Sequence, residues 1–289
     1  MQSARAFLRG IIDYAGLFPP AGLDMERAIA AYDSFLESPD RDFLGRFVVP
    51  IARLDEFSEV VRGREAGEPW RLSLIAAGDA TAARMAADDF NALHAKGFEA
   101  CIDTVEIAAR TVEEIAQAAL LADDFKTFIE IPLAPDPKPL IDAIAKTNAS
   151  AKIRTGGVVA SAFPSPENVL DFIELCRKAG ISFKATAGLH HLVRGEYPLT
   201  YETGSPRGLM FGYMNIFVAA AVDASRGERL QILTERDPSE FRFDSDGLSW
   251  QSHRISERDL VRARDRIAVS FGSCSFDEPV YEAKAQGII

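Results

Sequence analysis

The sequence has few cysteines and no closely spaced pair of them. Cys101, Cys176 and Cys274 are the three in 289 residues, and no C-x-x-C motif occurs. A disulfide framework uses an even number of cysteines, and a zinc ribbon or dithiol redox centre uses C-x-x-C pairs. The sequence therefore predicts free thiols in a reducing compartment, and the expected location is the cytoplasm.

Long apolar runs and an excess of basic residues are also lacking. The most apolar stretch, Met214–Val222, is far shorter than the roughly 20 residues that span a bilayer. Asp13 interrupts the apolar stretch near the N-terminus, so no signal peptide is expected. The chain has 32 Lys and Arg against 43 Asp and Glu, a formal net charge of −11. Nucleic acids and anionic membranes bind basic patches, so the expected partner is a small molecule instead.

Short β-rich runs alternate with helical periods along most of the chain. Eight β/α units in this length predict an α/β fold, a (β/α)₈ TIM barrel formed as a single domain by residues 1–289. A doubly wound open sheet is the alternative, because periodicity cannot show closure. No G-x-G-x-x-G follows the first strand, so no dinucleotide cofactor is expected. The predicted strands are Ile11–Tyr14, Phe47–Ile51, Arg71–Ala76, Ala100–Ile107, Thr127–Leu133, Lys152–Gly156, Ser182–Ala187 and Ile267–Gly272.

Residues 189–266 break this alternation between the seventh and eighth predicted strands. Their length exceeds the loop and helix that a parallel connection needs, so we interpret them as an insertion: a lid, an oligomer contact or a structural cover. Its apolar helix indicates burial in a core or in a homo-oligomer interface. The predicted elements are a loop at His190–Gly208, the apolar helix at Leu209–Ala224, a hairpin at Phe241–Trp250 and a charged helix at Glu257–Arg266.

Charged residues occur inside several predicted strands. In barrel enzymes the catalytic residues lie at the C-terminal ends of the strands, so these charges are the candidates for chemistry. Lys152 and Lys184 each precede a glycine by four residues, which predicts a similar depth in the barrel. With Arg154 they form three cations facing two anions, Asp103 and Glu130. Buried charge is costly unless it is paired or used. The set is therefore either a structural ion-pair network or a site in which neighbouring cations lower one lysine's pKa and free its amine for Schiff-base formation.

Six segments, in order along the chain, resemble motifs of deoxyribose-phosphate aldolase, a class I aldolase on a (β/α)₈ barrel. Two of them contain the lysines: Lys152-Ile-Arg-Thr-Gly-Gly resembles K-T-S-T-G-F, and Phe183-Lys-Ala-Thr-Ala-Gly-Leu resembles V-K-A-S-G-G-I. The other four are Ile12-Asp-Tyr-Ala-Gly-Leu (I-D-H-T-L-L), Cys101-Ile-Asp-Thr-Val-Glu-Ile (E-I-D-V-V-I-N-I), Thr127-Phe-Ile-Glu-Ile-Pro-Leu (V-I-I-E-T-x-L) and Ser270-Phe-Gly-Ser-Cys-Ser (G-T-S-S-G).

The resemblance implies an aldolase or lyase that acts on a small, sometimes phosphorylated carbonyl compound without a metal or other cofactor. It implies that Lys152 forms the Schiff base, that Lys184 tunes its pKa and that Asp103 relays protons. The implied residues near the substrate's phosphate are Gly157, Gly188, Gly272 and Ser273, and the other predicted substrate-binding residues are Arg154, Glu130, Thr155, Thr186 and His190.

Two departures from the family pattern keep other functions open. Arg154 replaces a small serine, and His190-His191 follow the seventh strand where the family has a short polar loop. One alternative is a metal-dependent enzyme that stabilises an enolate with Glu130, Asp103 and His190 as ligands. Another is a non-catalytic barrel that binds anions.

Overall fold

The computed structural model of this chain describes residues 2–62, 64, 70–95 and 100–289. Eight parallel strands close into a barrel in which the first and last strands are neighbours. The predicted TIM-barrel fold is therefore confirmed, and the open-sheet alternative is wrong. The barrel strands are β1 (Ile12–Tyr14), β2 (Leu44–Pro50), β3 (Trp70–Ile75), β4 (Ala100–Ala108), β5 (Lys126–Glu130), β6 (Ser150–Arg154), β7 (Phe183–Thr186) and, after the insertion, β13 (Ala268–Ser273).

Helices follow most barrel strands, and several begin at side-chain caps that the sequence provides. Asp24, Asp79, Thr111 and Ser165 each accept a hydrogen bond from a backbone N–H of the first helical turn. Such caps satisfy N–H groups that have no partner within the helix. The helices outside the insertion are α1 (Gln2–Leu8), α2 (Met25–Leu36), α3 (Leu54–Val61), α4 (Ala80–His94), α5 (Val112–Ala118), α6 (Lys138–Ile144), α7 (Pro166–Ala179) and α11 (Asp277–Ala285).

The segment between β7 and β13 contains more strands than its sequence pattern predicts. A two-stranded antiparallel hairpin lies in the predicted loop, and the predicted hairpin is part of a three-stranded sheet. The apolar helix is shorter than predicted, because the hairpin's second strand takes its first residues. Its elements are β8 (Gly195–Pro198), β9 (Arg207–Met210), α8 (Tyr213–Ala221), α9 (Arg226–Thr234), β10 (Arg242–Phe243), β11 (Gly247–Trp250), β12 (His253–Ser256) and α10 (Glu257–Arg266).

Helix α8 lies inside the protein's own core. Every residue from Tyr213 to Ala220 is buried. Tyr213 stacks on Phe271 of β13, and Phe217 packs edge-on against the same ring. The apolar circumference of this helix is thus accounted for by burial within one chain. Among the described residues, no helix combines the length and apolar character needed to cross a membrane.

Side chains of β1–β3 alternate between an outer aromatic layer and the barrel interior. Tyr14, Phe47 and Trp70 point outward and pack with Tyr32 of α2. On each strand, the residues next to the aromatic one face inward, because successive strand side chains point to opposite faces. This parity places charged and polar side chains inside the barrel, and they form the candidate site.

Candidate active site

Lys152 and Lys184 lie side by side on neighbouring barrel strands. They are register partners in the parallel pairing of β6 with β7, and Glu130 on β5 is the register partner of Lys152. The side chains of Lys152 and Lys184 are 7% and 1% exposed. The predicted common depth of the two lysines is therefore confirmed, and both ammonium groups lie inside the barrel.

Glu106 on β4 bridges the two lysines. Its Oε1 lies 2.6 Å from Lys184 Nζ, and its Oε2 lies 2.8 Å from Lys152 Nζ. The Ser73 hydroxyl donates a further hydrogen bond of 2.6 Å to Oε1. One buried carboxylate thus holds both ammonium groups in place.

Asp13 on β1 provides the second anion for Lys184. Its Oδ2 lies 2.5 Å from Lys184 Nζ and accepts a hydrogen bond of 2.8 Å from Ser270. Its Oδ1 accepts the backbone N–H of Arg46 at 2.7 Å. Gly45 makes this approach possible, because a Cβ at that position would lie 2.3 Å from Asp13 Oδ1.

Charge pairing, not burial, decides the protonation of the cluster. Burial disfavours the ionised form of Glu106, but Lys152 and Lys184 outweigh it and hold the pKa of Glu106 well below its usual value. Burial likewise lowers the pKa of Lys152, but the carboxylates of Glu106 and Glu130 outweigh it and raise that pKa above its usual value. The expectation of a depressed pKa therefore does not hold for Lys152. Its nearest neighbours are two anions: Glu130, which the sequence pattern predicts there, and Glu106, which it does not.

The structure does not place Asp103 beside the lysines. Its carboxylate pairs with Arg46 and with Arg71, each at 2.5 Å, and the Thr104 hydroxyl donates to it at 2.9 Å. Ile102 pairs with Leu72 and Thr104 with Ser73, so Asp103 is an extra residue in a β-bulge. It lies three residues before Glu106, about 10 Å along the strand, toward the N-terminal end of the barrel.

A cavity of about 630 Å³ opens above the lysines at the C-terminal ends of the barrel strands. The barrel provides its floor, and the residues around hairpin β8–β9 provide part of its cover, including Leu199, Tyr201 and Met210. Nine of the residues predicted for catalysis or binding line it: Glu130, Lys152, Arg154, Gly157, Lys184, Thr186, Gly188, His190 and Gly272. Their individual roles stay predictions.

Thr155 and Ser273 have partners within the protein framework. The Thr155 hydroxyl donates to the carbonyl of Ala187 at 2.8 Å. The Ser273 hydroxyl donates to the carbonyl of Ser275 at 2.6 Å and lies 3.3 Å from His190 Nδ1. Both side chains hold the segments that follow β7 and β13, so their geometry fits support of the cavity wall.

The metal alternative requires residues that the fold separates. Glu130 and His190 line the cavity, whereas Asp103 is held by the arginines of β2 and β3. Within the described part of the chain, no group of three or more His, Cys, Asp or Glu side chains is arranged to hold a metal ion.

Asp13 and Glu106 are the site residues that sequence reasoning missed. Each is a carboxylate within a predicted strand that is otherwise largely apolar, and this is the sequence signal that could have identified it. Strict alternation places residues 103 and 106 on opposite faces, so choosing Asp103 for the interior excluded Glu106. The bulge removes this conflict. The site therefore has three anions, Asp13, Glu106 and Glu130, against the cations Lys152, Lys184 and Arg154.

No protein-family model matches this sequence, and no curated protein is significantly similar to it. Among solved structures, the chain is similar to lysine/ornithine decarboxylase from Vibrio vulnificus, determined in complex with cadaverine. The sequence identity is 11% and the TM-score is 0.42, with 94% of this chain and 60% of that chain covered. This chain thus spans less than two thirds of the length of that enzyme.

Proposed function

We propose that this chain is an enzyme, a class I aldolase or lyase that forms a Schiff base between Lys152 and a small carbonyl compound. One observation carries the proposal: two buried lysines on adjacent strands share Glu106 at the floor of a cavity at the catalytic end of a TIM barrel. Buried lysines with this arrangement are costly unless they are fully paired or used for chemistry.

Lys152 is the better nucleophile of the two lysines, because a substrate in the cavity can reach it more easily. Asp13 and Glu106 hold the ammonium group of Lys184, whose side chain is only 1% exposed. Lys152 is held by Glu106 and by Glu130, and the Glu130 side chain is 21% exposed. A substrate in the cavity therefore reaches Lys152 next to a carboxylate that also faces the cavity.

The raised pKa of Lys152 means that the amine must lose a proton before it attacks. Glu130 Oε2, at 2.8 Å from Lys152 Nζ, accepts that proton. The lone pair of the amine then attacks the carbonyl carbon, and loss of water gives an iminium ion. Its positive charge lies where the ammonium charge was, so Glu106 stabilises it without rearrangement.

The cavity fits a compact substrate with apolar and polar parts. Its wall includes apolar side chains such as Phe18, Val48 and Ile75. Arg154 follows Lys152 by two residues, and its half-exposed guanidinium is 3.9 Å from Glu130. A carboxylate or phosphate on the substrate would find a partner there, and the probe set below separates the two.

The test is borohydride trapping, followed by peptide mass mapping, with acetaldehyde, glycolaldehyde, pyruvate and glyceraldehyde 3-phosphate as probes. We expect at least one probe to give a reduced adduct on Lys152, and Lys152→Met to abolish it. Lys126 is the matched control, because burial lowers its pKa although it is not among the cavity-lining residues. Lys126→Met should leave the adduct unchanged. Labelling only at Lys126 or at other exposed lysines would contradict the proposal.

The non-catalytic alternative has one observation in its favour: the ammonium groups of Lys152 and Lys184 each have two carboxylate partners. A structural network of this kind predicts no adduct on either lysine with any of the four probes. The same trapping experiment therefore separates the two functions.

A further inference from the structure

A second group of polar side chains lines the same cavity above the lysines. His190 follows β7, Cys274 follows β13, Glu278 belongs to α11 and Tyr201 lies between β8 and β9. His190 Nδ1 is 3.7 Å from Cys274 Sγ and 3.6 Å from Glu278 Oε2. The Tyr201 hydroxyl donates to Glu278 at 2.9 Å and lies 3.6 Å from Cys274 Sγ. Four segments thus meet around one imidazole.

The imidazole and the thiol of this group are both neutral at physiological pH. Burial, together with the nearby His191, lowers the pKa of His190 to about 4, although Glu282 opposes the shift. Burial raises the pKa of Cys274 to about 11, against the hydrogen bond from Tyr201. Cys274 is therefore a poor nucleophile at rest, whereas His190 has an unprotonated ring nitrogen that can accept a proton.

The other bases near the Schiff-base lysine are already engaged. Glu106 is held by two ammonium groups, Asp13 is held by Lys184, and Glu130 is paired with Lys152. The two ammonium groups hold the pKa of Glu106 well below its usual value, so Glu106 is a weak base. The Asp13 side chain is only 1% exposed, and Glu130 has the separate task of taking the proton from Lys152. His190 has no such ammonium partner at neutral pH, since its contacts are a thiol, the Ser273 hydroxyl and Glu278.

We propose that His190 is the proton-transfer residue of this cavity, acting on the carbon next to the iminium carbon of a substrate bound to Lys152. The inference rests on the proposed function, since it requires a Schiff base. Glu278 and Cys274 are positioning residues: both lie beside the His190 ring in the wall of the cavity.

The step conserves atoms and charge without another reactant. The C–H bond next to the iminium carbon breaks, and its proton goes to the free nitrogen of His190. The electron pair forms a carbon–carbon double bond, and the iminium becomes a neutral enamine. The imidazolium that results is stabilised by Glu278, whose Oε2 already lies 3.6 Å from Nδ1. Return of a proton to carbon reverses the step.

The experiment measures exchange and trapping in the same samples. Acetaldehyde, propanal and pyruvate are incubated in D₂O, and loss of the α-proton signal is followed by NMR while borohydride traps the adduct. We expect exchange by the unmodified protein to require Lys152. We expect His190→Gln to lower the exchange rate about 100-fold or more while adduct formation on Lys152 stays within about threefold. His253→Gln is the control, because His253 pairs with Glu228 in the insertion.

A second variant keeps the inference falsifiable if His190→Gln disturbs the wall. His190→Ala opens a space that free imidazole can enter, and added imidazole should restore exchange, which a purely structural role would not predict. Unchanged exchange in His190→Gln would overturn the inference, and so would loss of the adduct together with exchange. Absence of any adduct in the unmodified protein would instead overturn the proposed function, and this inference with it.

Discussion

Lys152 and Lys184 are register partners on adjacent parallel strands, and their two ammonium groups share the carboxylate of Glu106. Like charges this close repel each other, so the arrangement depends on the anions around it. Asp13 and Glu130 complete the neutralisation from either side. The stability of the barrel and the charge balance of the candidate site therefore depend on the same five side chains.

Replacing the two lysines should have unequal effects on stability. Among the described residues, Lys184→Met leaves buried Asp13 with the Ser270 hydroxyl and a backbone N–H as hydrogen-bond partners, and we expect a loss of about 3–5 kcal/mol in the free energy of unfolding. Lys152→Met leaves Glu106 paired with Lys184, and the loss should be about 1–3 kcal/mol. Urea denaturation measures both values, and equal losses would contradict the difference in burial.

Glu106→Gln should be strongly destabilising because it removes the anion common to both lysines. We expect a loss of about 3–5 kcal/mol in the free energy of unfolding. Glu56→Gln is the matched control: Glu56 pairs with Arg53 at 2.6 Å on the surface, with its side chain 46% exposed, and should cost less than about 1 kcal/mol. A Glu106→Gln protein as stable as the control would show that the bridge contributes little.

Asp103→Asn tests the role that the aldolase resemblance assigns to this residue. Asp103 is held by Arg46 and Arg71, so the substitution should reduce stability by about 1–2 kcal/mol and leave the Lys152 adduct unchanged. Thermal unfolding and the borohydride assay measure the two effects. Loss of the adduct in a folded Asp103→Asn protein would support the proton-relay role instead.

His190 should make the protein less stable in mild acid. Its pKa is about 4 in the folded protein against 6.5 for a free histidine, so the unfolded chain binds a proton that the folded chain does not as the pH falls through 6.5. The loss should grow down to pH 4, level off below it and amount to about 3 kcal/mol. The other titratable groups around His190 are present in both the unmodified protein and His190→Gln; they include Glu278, Cys274, Tyr201 and His191. The difference between the two proteins in free energy of unfolding, followed against pH, therefore reports the contribution of His190. Parallel stability curves for the two proteins would contradict the prediction.

The barrel and its lysine pair could be predicted from sequence because both follow from short-range patterns. Eight alternating strand and helix units predict a parallel barrel, although closure itself is shown by the structure, and Lys152 and Lys184 precede their glycines by the same interval. Of their anionic partners, Glu130 could be predicted and Glu106 could not. The inward position of Glu106 depends on one extra residue in β4, and neither composition nor periodicity reports a bulge.

The elements of the insertion were harder to predict for a different reason. The pairing of β8 with β9 involves polar residues such as Glu196 and Arg207, without the alternation that marks a half-buried strand. The third strand, β12, follows a turn at Gln251, a residue with positive φ that carries no glycine signal. The β8–β9 hairpin and β12 therefore form through pairing with neighbouring strands, and their own sequences carry no clear strand pattern.

The cavity is formed by two parts of the chain, the barrel and the region around hairpin β8–β9. Its floor belongs to the barrel, where each charged side chain is balanced by another, whereas its cover near hairpin β8–β9 contributes Leu199, Tyr201 and Met210. Exchange of single residues in the cover leaves the charge balance of the floor intact. Substitutions in the cover can therefore change which molecules the cavity admits while the ion-pair cluster of the floor is kept.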